Sequence, residues 1–132
     1  MDNFEKSELV IAKILGLLAE KGLGHGDLRF EHLELGEEFK PFFDNAVDWL
    51  IDEGLIRARN IARLINGIGL VVAPTLTARG MAAMGRSISV GGETSTVGEA
   101  VKNTAKNSNF YTGLADMGGG FVGGLIKSLG SS

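Results

Sequence analysis

The sequence predicts a mostly helical α+β fold, and three observations carry that expectation. Apolar residues recur at helical spacing over residues 3–21 and again over 37–53. Two β-prone runs flank Asn66-Gly67, a pair suited to a hairpin turn. At 132 residues, 44% hydrophobic and 22% charged, the chain has the length and composition to bury a core.

The first helix is expected from "DNFEKSELVIAKILGLLAEKG", where Val10, Ile11, Ile14, Leu17 and Leu18 form one apolar face. Asp2 or Asn3 caps its start, and Lys21-Gly22 supplies a basic last turn and a left-handed stop. A brief second helix is expected around Leu28–Leu33. The third runs from Glu37 to Glu53, with Phe39, Phe42, Phe43, Ala46, Val47, Leu50 and Ile51 at i, i+3, i+4 spacing. Pro41 falls in its first turn, where the missing N–H costs little. Burying its phenylalanines with Leu50 and Ile51 is worth on the order of 10 kcal/mol before entropy is subtracted.

After Gly54, "LIRARNIARLINGIGLVVAPTLT" predicts a hairpin with Asn66 and Gly67 at the two positive-φ positions of a type I′ turn. "LTARGMAAMG" then predicts a short helix capped by Thr77, with Met81 and Met84 packing back. Composition changes beyond Arg86. Residues 1–86 hold ten of the thirteen basic residues and thirteen of the sixteen acids, whereas residues 87–132 balance to zero and carry ten of the twenty glycines. Residues 87–98 read as a Ser/Gly/Thr-rich linker, and 99–132 as a glycine-rich amphipathic extension.

Helix, short helix, amphipathic helix, hairpin and closing helix is the order of a winged helix-turn-helix domain over residues 1–86. Within it, "FDNAVDWLIDEGLI" and "APTLTARGMAAM" resemble the YjcQ-type small winged-helix proteins of bacteria and prophages. Phe43, Asp44, Ala46, Val47, Leu50, Glu53, Gly54 and Ile56 match the first motif of that family. Pro74, Leu76, Thr77, Gly80 and Met84 match the second. The resemblance covers residues 8–86. It implies a winged fold and a bacterial or phage setting, and it brings no assigned activity or binding residues.

Three patches are candidates for function. Asp44, Asp48 and Asp52, at i, i+4, i+8, line the outer face of the third helix with Trp49 at its edge. That stripe is either a solvated face or a docking face for a basic partner, with Trp49 as anchor. It repels phosphate, so it is a poor DNA-reading surface. Arg57, Arg59 and Arg63 alternate along the first hairpin run and either contact nucleic acid or pair with neighbouring acids. In the C-terminal extension, Phe110, Leu114, Met117, Phe121 and Leu125 make an apolar stripe suited to self-association or partner docking.

Other classes are not expected. No cysteine is present, and His25 and His32 match no metal-ligand spacing, so neither metal nor cofactor is predicted. No nucleophile–base pair or phosphate-binding loop marks an enzyme or a small-molecule substrate. The N-terminus lacks a signal-peptide pattern and apolar runs such as "IGLVVA" are far below bilayer length, so a cytoplasmic protein is expected, with membrane binding disfavoured. The expected function is a non-catalytic, phage- or mobile-element-encoded interaction module contacting protein through its acidic third helix and C-terminal segment. The alternative is a DNA-binding transcriptional regulator that uses the basic wing and dimerises through that segment.

Overall fold

A computed structural model of the chain describes residues 1–107 apart from His25 and Gly91. The C-terminal candidates Phe110, Leu114, Met117, Phe121 and Leu125 lie outside the described residues. Among those described, the fold is α+β, with four α-helices and small two-stranded antiparallel sheets. No described helix is long and apolar enough to cross a membrane.

Helix α1 spans Asn3–Lys21. Asp2 caps it: its carboxylate accepts the Glu5 N–H at 2.8 Å, and the Glu5 carboxylate accepts the Asp2 N–H at 3.2 Å. Two of the helix's orphan donors are thereby satisfied reciprocally. At the other end Lys21 does more than balance the dipole. Its ammonium donates to the carbonyls of Gly26 and Pro74 at 3.3 and 2.6 Å, tying the end of α1 to the loop before the closing helix.

Every residue of α1 from Glu8 to Gly16 is buried. A run longer than two turns presents all faces of a helix, so α1 is enclosed and is not a one-sided surface helix. Helix α2 (Phe43–Asp52) lies against one side. The cover on another side comes from beyond the expected domain boundary. Residues 87–98 do not form a linker: β5 (Ser87–Val90) pairs antiparallel with β6 (Glu93–Thr96), and Thr96 caps helix α4 (Val97–Lys106). Thr94, Thr96 and Ile88 favour a strand, and Gly92 takes the positive φ of the turn at 85°, so a composition that resembles a flexible spacer makes a hairpin.

Helix α4 runs antiparallel to α1. Gly98, Glu99 and Lys102 lie beside Ala19 and Gly22, whereas Val101 and Ala105 meet Gly16. A Cβ on Gly16 would run into the Val101 carbonyl and stand 2.8 Å from the Ala105 methyl. The helices touch closely because position 16 has no side chain. Lys13, 3% exposed, donates to the Ala105 carbonyl at 3.2 Å. Val97, Ala100, Val101 and Thr104 face inward, and the buried Thr104 hydroxyl is satisfied by the Ala100 carbonyl at 2.9 Å.

Between α1 and α2 the expected second helix is a single 3-10 turn, Phe30–Leu33. Leu28 instead exchanges two backbone hydrogen bonds with Val71, each 2.9 Å. The long third helix divides at Pro41. Glu37–Phe42 is 3-10, and the α-helix begins only at Phe43. Proline has no N–H to extend an α ladder and its ring crowds the preceding turn, which accounts for the break.

Strand β1 (Ile56–Arg57) pairs with β4 (Thr75–Leu76), and β2 (Asn60–Leu64) pairs with β3 (Gly67–Val72). The β2–β3 hairpin turns at Ile65-Asn66, one residue before the expected pair, because Leu64 faces Gly67. Gly67 has φ +119° while Asn66 keeps a negative φ, so this is not the type I′ turn the dipeptide suggests. A register shift between Ala62 and Arg63 adds a bulge. Helix α3 (Ala78–Met84) starts at the expected cap: the Thr77 hydroxyl accepts the Gly80 N–H at 3.0 Å. Met84 packs against the core, but Met81 is 43% exposed and does not.

The core gathers Ile14, Leu15 and Leu18 of α1 with Phe43, Val47 and Leu50 of α2 and Leu55, Ile56 and Val71 of the strands. Phe30 meets Phe43 edge to face at 5.8 Å between ring centres and 72° between planes.

Candidate protein-docking surface

The two patches that the sequence presents as separate candidates face each other. Hairpin β2–β3 lies across the acidic side of α2. Asp44, in the first turn, accepts the Ile68 N–H at 3.0 Å, and its carboxylate sits where a Cβ of Gly67 would otherwise point. One turn on, Arg63 grips Asp48 with two hydrogen bonds, Nη2 to Oδ1 at 2.8 Å and Nη1 to Oδ2 at 3.5 Å. The hydrogen bond Arg63 donates to Asp48, followed by the charges of Asp48 and Asp44, raises the Arg63 pKa above its ordinary value. Both side chains of the pair keep more than a third of their surface in water, 57% and 39%, so the clasp is screened and weak in energy while specific in geometry.

Of the aspartate stripe, only Asp52 at the end of α2 is exposed; Asp44 and Asp48 are half-buried. The arginines likewise divide. Arg57 belongs to β1 and Arg59 to the bend before β2, whereas Arg63 lies beyond the bulge. They do not share one strand face, because the expected single strand breaks at Ala58-Arg59, where the chain leaves one partner strand for another. Arg57 and Arg59 are exposed and border a shallow depression with Leu23, Ala73 and Thr75. The hairpin tip is aliphatic: Leu64 is 61% exposed and Ile65 wholly so.

On its other flank α2 forms a groove with α1 of about 410 Å³. Phe4, Ser7, Glu8 and Ile11 come from α1; Phe42, Asn45, Ala46 and Trp49 come from α2 and the turn before it. Phe4 is 61% exposed and Trp49 half-buried, so an apolar wall stands open to solvent. Sequence reasoning identified Trp49 and missed Phe4. The signal was present, since Phe4 and Ile11 are two turns apart on one face of α1. What the sequence does not reveal is that α2, some forty residues later, forms the opposite wall.

His32 is engaged locally, its Nδ1 accepting the Arg29 N–H at 3.1 Å. Among the described residues no three His, Asp or Glu side chains converge on a common point. In comparison with known proteins, the chain matches no family model, no curated protein and no solved structure.

Proposed function

We propose that the chain is a non-catalytic winged-helix interaction module, encoded by a phage or other mobile element. It engages protein through the Trp49 side of α2 and through its C-terminal segment. The order α1, Leu28 bridge, 3-10 turn, α2 and β2–β3 supports the winged-helix assignment. So does the placement of the motif residues that resemble the YjcQ-type proteins: Phe43, Ala46, Val47, Leu50 and Ile56 are core, and Thr77 is a helix cap.

One observation carries the reading. The hairpin occupies Asp44 and Asp48, so what α2 leaves open is the Trp49 groove and Asp52. A large aromatic beside apolar walls is the composition of a protein-binding anchor. The regulator alternative retains Arg57 and Arg59, which are exposed. It is weakened by the commitment of Arg63 to Asp48, by the aliphatic hairpin tip and by a net charge of -3.

Site-specific photo-crosslinking in the native host separates the two. A benzophenone amino acid at position 49 of the full chain is expected to trap protein, and the same group at position 57 is not expected to trap DNA. Duplex binding that falls steeply with salt and disappears in Arg59→Ala would assign the regulator role instead.

A further inference from the structure

Two apolar features flank the first turns of α2, one a projection and the other a recess. The projection is the apex of the β2–β3 hairpin, where Leu64 and Ile65 stand in solvent. With Asn66 and Gly67 they make a four-residue tip that carries no charge. Turns ordinarily use Gly, Asn, Asp or Ser, so a β-branched aliphatic residue at the apex adds nothing to chain reversal. The tip is held in advance, because Asp44 accepts the Ile68 N–H and Asp48 clasps Arg63. A projection already fixed to its helix loses little freedom on binding. The recess is the α1–α2 groove, open at Phe4 and Trp49. Its one charged lining residue, Glu8, is buried, and its exposed polar member is Asn45.

We propose that the hairpin tip of one copy seats in the α1–α2 groove of a second copy, Leu64 and Ile65 against Phe4 and Trp49, and that the exchange is reciprocal. This rests on the groove being a docking surface, as proposed above, and names its occupant. Projection and recess use neighbouring residues of one helix: Asp44 and Asp48 meet the hairpin, whereas Asn45 and Trp49 line the groove. A two-fold axis therefore lets each copy give its tip and receive its partner's, which closes the assembly at two chains. The contact sets a neutral tip against a wall whose charge is buried, so the net -3 of each chain is not concentrated there. Covering these four side chains in both copies removes on the order of 1,000 Å² from water, the low end for a specific interface. A dimer of that size assembles at high protein concentration and separates on dilution.

The chain has no cysteine, so single replacements report without background. Full-length Phe4→Cys and Ile65→Cys variants, distinguished by a tag, are mixed at high concentration and oxidised gently. The proposal expects the mixed disulfide to exceed each symmetric product by far more than the twofold that random pairing gives. Sedimentation velocity over a concentration series supplies the second measurement. The parent is expected to pass from monomer to dimer, and Ile65→Asp to stay monomeric, with circular dichroism as the folding control. Ile65→Ser serves if the aspartate disturbs the hairpin. Random pairing of the cysteines overturns the proposal. So does a parent dimer that the Ile65 variants leave intact, which places self-association elsewhere on the chain. If the parent is monomeric throughout while crosslinking at position 49 in the host traps a different protein, the second copy fails as occupant and the docking surface stands. If that crosslinking also traps nothing, the docking surface fails as well.

Discussion

Arg63 holds Asp48 in a two-pronged clasp, and through it the β2–β3 hairpin is fastened to the helix whose acidic face it covers. Beside it, Asp44 accepts the backbone N–H of Ile68. The two contacts differ in kind, one between exposed side chains and one to a half-buried backbone donor. Asp44→Ala is expected to cost about 1 kcal/mol, the usual net worth of such a bond. Arg63→Ala should cost less, and its effect should fade at high salt. Urea denaturation of both variants at low and high ionic strength checks the ranking.

Gly67 tests the same junction from the backbone side. Its φ of +119° disfavours any side chain, and the space a methyl would need is taken by the Asp44 carboxylate. Gly67→Ala should therefore destabilise by more than about 1 kcal/mol. An unchanged thermal midpoint would show that the hairpin shifts without cost.

Gly16 decides between two opposite expectations. If the position mattered only for helix propensity, Gly16→Ala would stabilise by about 1 kcal/mol. The methyl would instead strike the Val101 carbonyl, so the structure predicts net destabilisation, typically 1–3 kcal/mol for overpacking. The sign of the change in unfolding free energy is the measurement.

Lys13 makes stability depend on pH in an identifiable direction. Burial lowers its pKa below the ordinary 10.5, with the charge of Glu34 opposing the shift. Well below the lowered value both folded and unfolded chains bind the proton, and the burial cost is present in full. As pH rises through that value towards 10.5, the folded chain releases its proton first and the cost disappears. Stability from this residue therefore increases across the window. Lys13→Met keeps the stem and should lack that increase, so the difference between the two pH profiles isolates the residue.

Much of the scaffold was legible because its signals are local. The Asp2 cap, the Thr77 cap and the spacing of Phe43, Val47 and Leu50 each depend on residues within a turn or two. What escaped depends on distant partners. The pairing of Ile56 with Leu76, the closure of Arg63 on Asp48 and the approach of Val101 to Gly16 leave no periodic mark in either segment. The hairpin of residues 87–96 escaped for a different reason: Ser, Thr and Gly occur in spacers and tight turns alike, and composition does not separate them. Half of the candidate groove was legible, since Trp49 stands at the edge of the acidic stripe, whereas Phe4 lies outside the apolar face that spacing gives the first helix.

The closeness of Gly16 to Val101 and Ala105 also sets an order of events during synthesis. The first helix leaves the ribosome early, yet the neighbour that seals one of its sides is about eighty residues behind it. At elongation speeds of about 5–20 residues per second that is on the order of ten seconds. Throughout that interval the side of α1 around Gly16 lacks its native neighbour, and the helix reaches its final surroundings only when residues 97–106 arrive.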